Sequence, residues 1–289
     1  MNKIRTKINK DTNYIFHMMS VSKCGYDNSY GETYRIYHNE DDLKALNQYA
    51  RLLTVCGGVY IGELYCLLVI SPACAEQTAI EYYSEIYDLF YSADDSKDVV
   101  RQYKKYRNEI CDISRIMKSN YTIYTEKIWP VSEPVITEYA KAIEMKFNDH
   151  NFSEQAEKLV GEKFKFDAFY ATMCNSLAYG AEAIDISDNQ DVFGIDRSFE
   201  DAFYFIGHEF IIYLLKQALV QTSAFKSFET WGITEGLAEF YMIQIMGNSR
   251  FFKEQLKYAN YYKQIYAIHP EYTAKDLYLI ALKDFNEDY

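Results

Sequence analysis

Two ionisable side chains, His208 and Glu209, stand side by side in residues 202–215, AFYFIGHEFIIYLL, where every other residue is apolar, aromatic or glycine. A helix of that composition is apolar around almost its whole circumference and belongs in a core. Burying a carboxylate without a partner costs roughly several kcal/mol, so Glu209 requires a metal, a water-filled cleft or a cationic neighbour. The pair itself offers chemistry, because a neutral imidazole ligates metals and a carboxylate accepts protons. A second acidic pair follows in residues 231–241, WGITEGLAEFY, where Glu235 and Glu239 are one helical turn apart on a common face.

In the zinc motif HExxH, two histidines four residues apart ligate the metal from one helix face, and the glutamate activates the bound water. Residues 208–212 read HEFII, so Ile212 stands where the second histidine would be. Tyr213 does not replace it, being rotated about 100° further around the helix. Taken with the EGxAE-like context of residues 231–241, residues 203–241 resemble the two metal-ligand helices of a gluzincin-type, thermolysin-like zinc metallopeptidase. The resemblance implies His208 and Glu235 as metal ligands and Glu209 as general base. It further implies Glu239 as the group that hydrogen-bonds His208 and fixes its tautomer.

A metal held by His208 and Glu235 alone has two protein ligands instead of three, so zinc, if bound at all, is expected to be weak. Three readings follow. The first is a non-catalytic pseudopeptidase that keeps the fold to bind a peptide or protein partner. The second is an active zinc metallopeptidase with a substituted ligand, for which His269 in AIHPEY is the leading candidate. There Glu209 is the base, and one of Tyr258, Tyr261, Tyr262 and Tyr266 stabilises the oxyanion. The third is a helical interaction protein without a metal site, in which His208 and Glu209 satisfy each other or the backbone, and which His208 and Glu235 pointing apart would favour.

The elements that must position these residues come from composition and spacing. The 289 residues suffice for a core without disulfides or metal, and 49% apolar residues with only 4 Pro and 12 Gly argue against disorder. A net charge of −12 leaves no basic stripe for nucleic acid and disfavours an anionic membrane surface. No apolar run approaches about 18 residues and no signal-type segment follows the basic start, so a cytoplasmic location is the default expectation. The six cysteines form no CxxC pair and read as reduced, mostly buried thiols, Cys66 among them.

The fold class expected is mainly α, in the α+β class. WPVSEP, with Pro130 and Pro134, is the candidate boundary between a helical N-terminal region, 1–130, and a metallopeptidase-like domain, 131–289. Helices are expected at about 40–55, ending at Gly57-Gly58, at 73–91 and at 95–118. Another is expected at 133–148, with Ser132 as its cap and Pro134 in its first turn. Residues 163–196 carry short aromatic and β-branched runs suited to a small sheet. Helices at about 198–220, opened by Ser198 and Asp201, and at 232–246 then carry the site. Helical material at 250–267 and a helix capped by Thr273 and Asp276 complete the chain.

Overall fold

A computed structural model describes residues 2–56, 60–177, 183–196, 198–250 and 253–285. Gly57 and Gly58, the expected end of the first helix, lie outside the described residues, as does the side chain of Cys56. The chain is mainly helical with one small mixed sheet, as its composition and spacing imply. Among the described residues no helix is long and apolar enough to cross a membrane.

The sheet has four strands: β1 (Ile4–Lys7), β2 (Phe169–Cys174), β3 (Ala183–Ser187) and β4 (Gln190–Gly194). Their spatial order is β1-β2-β4-β3, with β1, β2 and β4 parallel and β3 antiparallel to β4. Ile4 pairs with Phe169 across the whole N-terminal half of the chain. At the β1 edge, the Glu144 carboxylate accepts from the Thr6 N–H at 2.8 Å, giving the backbone a partner and blunting the edge.

The division expected at WPVSEP is not a linker. Pro130 lies in the first turn of a 22-residue helix, Trp129–His150, and Pro134 lies inside it. A wide turn at Tyr124–Ile128 leads into that helix from Arg107–Ile123, so the chain stays helical through the segment. Pro130 costs nothing in a first turn, where its missing N–H has no intrahelical acceptor. Ser132 is therefore a buried residue within the helix and not its cap. One hydrophobic cluster runs from Ile4 to Leu282 and draws on both halves.

Ahead of this helix stand α1 (Lys10–Val21), α2 (Glu40–Gln48), α3 (Ala79–Tyr91) and α4 (Arg107–Ile123). The long helix Trp129–His150 is α5, followed by α6 (Phe152–Val160). After the sheet come α7 (Phe199–Ala218), α8 (Phe228–Met246), α9 (Leu256–Ile268) and α10 (Ala274–Phe285). α7 lies against α6 and α8, and α8 packs in turn on α9 and α10.

Caps fix the ends of the helices that matter for the site. Ser198 Oγ accepts from the Asp201 N–H at 3.1 Å and opens α7. Ser227 and Thr230 exchange bonds at the start of α8, four residues before its expected start. Gly247, at φ +82°, ends α8 in the left-handed conformation that glycine adopts without a Cβ penalty. Thr273 and Asp276 form the full reciprocal box before α10, as their spacing implies. Cys24 and Cys174 are buried, whereas Cys66, expected in the core beside Leu67 and Leu68, faces outward.

Candidate functional site

The apolar sequence of α7 buries it on nearly all sides, and His208 is fully buried at its centre. α8 lies alongside and brings Glu235 and Glu239 to the same imidazole. His208 Nε2 meets Glu235 Oε2 at 2.9 Å, and His208 Nδ1 lies 3.6 Å from Glu239 Oε2. The Tyr204 hydroxyl, one turn before His208, donates to Glu239 Oε1 at 2.7 Å. Burial by itself pushes the imidazole pKa down, but hydrogen bonding with Glu235 and then Glu239 outweighs it and raises the group to about 10. The direction favours a protonated His208 ring, with Glu235 on one side and Glu239 on the other.

Two glycines allow the helices around this cluster to approach. A Cβ on Gly236, next to Glu235, would lie 2.2 Å from the Tyr258 Cβ of α9. A Cβ on Gly207, next to His208, would lie 2.7 Å from the Phe152 ring of α6.

The structure brings His208, Glu235 and Glu239 together. Ile212 is buried on the His208 side of α7 and offers no donor. Glu209 is half-buried on the neighbouring side of the helix. His269 is not brought to the cluster: it is 42% exposed at the end of α9, with Nδ1 3.2 Å from Glu271 and its ring stacked on Tyr272. The tyrosines of α9 are used elsewhere. Tyr258 packs on Gly236, Tyr261 donates to Asp284, Tyr262 donates to the Ile233 carbonyl at 3.1 Å, and Tyr266 packs on Phe240.

A catalytic zinc site takes three protein ligands, and two donors on one tetrahedral ion stand about 3.3 Å apart. Here the donors are His208 and Glu235, in direct hydrogen-bond contact at 2.9 Å. Among the described residues no group of three or more His, Cys, Asp or Glu could hold a metal. The arrangement sets His208 Nε2 and the Glu235 carboxyl in direct hydrogen-bond contact.

Sequence reasoning missed Tyr204 and Tyr213. The signal for Tyr204 is its position four residues before His208, on the same helix face. Tyr213 donates to Asp191 Oδ1 at 2.6 Å and to the Ser187 carbonyl at 3.1 Å, tying α7 to the hairpin of β3 and β4. Beside this hairpin lies a cavity of about 580 Å³ lined by Ile70, Ile186, Ser187, Tyr213, Lys216 and Val220. Glu209, Tyr213 and Lys216 follow one another along a single face of α7 at helical spacing, and Val220 lies in the turn just past its end.

No family model, no curated protein and no solved structure matches this chain.

Proposed function

We propose that this chain is a metallopeptidase-like protein of gluzincin type whose zinc site has become a buried ion cluster, and that it acts as a non-catalytic pseudopeptidase. The observation that carries the reading is the direct bond from His208 to Glu235, with Ile212 filling the remaining position. In an interaction protein without an ancestral site, nothing requires these two side chains to converge across two helices. Their convergence, in the order expected of a metal centre, favours the peptidase-like reading.

The partner is an extended peptide or protein segment, not nucleic acid and not a membrane. β3 ends the sheet, and an added strand would pair there through its main chain. The cavity beside the hairpin, with apolar walls from Ile70, Ile186 and Val220, would receive one of its side chains. Selection of a random-peptide library on the full chain tests this. Recovered peptides should lose at least tenfold in affinity in Val220→Glu, whose position is 75% exposed, and none in Val131→Glu on α5. Equal binding by both variants contradicts the groove. Peptide cleavage that is lost in Glu209→Gln replaces this reading with that of an active metallopeptidase.

A further inference from the structure

Two other histidines meet far from this cluster. His17 of α1 is fully buried, and its Nε2 lies 2.8 Å from Nε2 of His38, which is also buried. His17 Nδ1 is 2.8 Å from the Tyr30 hydroxyl, and His38 Nδ1 is 2.9 Å from Asn120 Oδ1.

The protons in this chain of contacts can be placed from one end. Asn120 Nδ2 donates to the Ile116 carbonyl at 2.9 Å and to Asp42 at 3.2 Å, so its oxygen faces His38. His38 therefore carries its proton on Nδ1 and accepts at Nε2. His17 must then donate from Nε2, which leaves its Nδ1 to accept from Tyr30. Each contact is satisfied once, and both rings are neutral.

One further proton can be taken up on His17 Nδ1, where the Tyr30 hydroxyl turns to accept it and donates to Ser132 of α5 instead. A second, on His38 Nε2, has no place: it would set the N–H groups of two cationic rings against each other at 2.8 Å. The surroundings do little to favour the charge. From residues 28–38 come Tyr30 and Tyr34, from the turn after α4 comes Tyr124, and Cys174 of β2 faces Tyr30 and Tyr124. The nearest carboxylate, Asp42 of α2, reaches His38 through Asn120 and is already paired with Arg115 of α4 at 3.2 Å.

The contact also has a mechanical role. Residues 28–48 fold over α1 and are tied to it by the Arg35 bond to the Val21 carbonyl at 2.7 Å and the Asn47 bond to the Ser22 carbonyl at 3.0 Å. The histidine pair is one buried tie between these two, beside the Asn28 Nδ2 bond to Ser20 Oγ at 3.2 Å. We propose that the His17–His38 contact is an acid-released latch, closed while at least one ring is neutral and opened when both take up a proton, which frees residues 28–48 from α1. Burial, and then the neighbouring His38, hold the His17 pKa well below its ordinary value. Burial lowers His38 as well, against the opposing influence of Asn120 and Asp42.

Hydrogen exchange of the full chain at pH 7.5 and 5.0, corrected for intrinsic exchange, tests the latch. Each ring that is neutral when closed and ordinary when open makes opening about 30-fold more favourable over that interval. Peptides covering residues 28–48 should lose protection by that factor or more, while those covering α9 and α10 should not. Equal protection of 28–48 at both pH values overturns the proposal. The double variant His17→Phe/His38→Leu should show no acid loss in 28–48, and a loss equal to that of the native chain overturns it. Should that variant not fold, imidazole nitrogen NMR of the native chain decides. At most one ring should be charged while amide protection holds, and protonation of both at an ordinary histidine pKa with protection intact overturns it.

Discussion

His208 Nε2 and Glu235 Oε2 lie 2.9 Å apart, so α7 and α8 are joined at their buried faces by a hydrogen bond between an imidazole and a carboxyl group. Glu239 stands on the other side of the same ring and is itself held by Tyr204.

Removing one member of this cluster leaves charge buried without its partner. His208→Leu and Glu235→Leu should each cost about 3–5 kcal/mol in urea unfolding. The double variant should cost clearly less than their sum, because it removes both charges of the pair. Additive losses would show that the two side chains do not interact in solution.

The pH dependence of stability separates this cluster from the histidine latch by sign. The folded His208 pKa, about 10, lies above the unfolded value of about 6.5. Its contribution is therefore complete below pH 6.5 and is lost as pH rises toward 10, with a slope of about 1.4 kcal/mol per unit. His17 and His38 have lowered pKa values, so their contribution is present above about pH 6.5 and is lost as pH falls. Unfolding measured across pH 5–8, below the range in which the buried thiols Cys24 and Cys174 add a loss of their own, should show both flanks, and His208→Leu should remove the alkaline one alone. An alkaline flank unchanged in that variant would rule out the imidazolium.

Gly236→Ala and Gly207→Ala should differ. The first sets a methyl group 2.2 Å from the base of the Tyr258 side chain, which cannot swing away without moving α9, and should cost about 3 kcal/mol. The second meets the edge of the Phe152 ring at 2.7 Å, which can shift, and should cost about 1 kcal/mol. Thermal unfolding of the two variants checks the order, and a reversal would mean that α8 and α9 are not in the contact described.

Ile212→His restores a donor on the face that His208 occupies. If the backbone keeps a metal site's geometry, zinc affinity measured by calorimetry should rise by at least two orders of magnitude, because donors from α7 and α8 would then number three. An unchanged affinity would mean that the two helices do not have the spacing of a metal centre.

Local chemistry made much of this legible in sequence. The cap at Thr273 and Asp276, the cap at Ser198 and the apolar stretch of α7 each act within a few residues, and each is found where its spacing places it. The β1 strand was not legible, because Ile4–Lys7 carries no alternating apolar pattern and its partner lies in β2, more than 150 residues away. Pro130 and Pro134 read as a boundary because proline usually breaks helices, but a first-turn position removes that cost for Pro130. Glu235 and Glu239 were legible as a pair one turn apart. That their target is the His208 ring itself depends on how closely α7 and α8 pack, which no local pattern records. The His17–His38 contact joins residues 21 positions apart with no motif between them.

The measurement that bears most directly on the account is the metal content of the native chain purified without chelator, beside His208→Ala prepared in the same way. A site closed by the His208–Glu235 hydrogen bond should hold zinc at far below one ion per chain, with no difference between the two proteins. One zinc per chain that disappears in His208→Ala would contradict it.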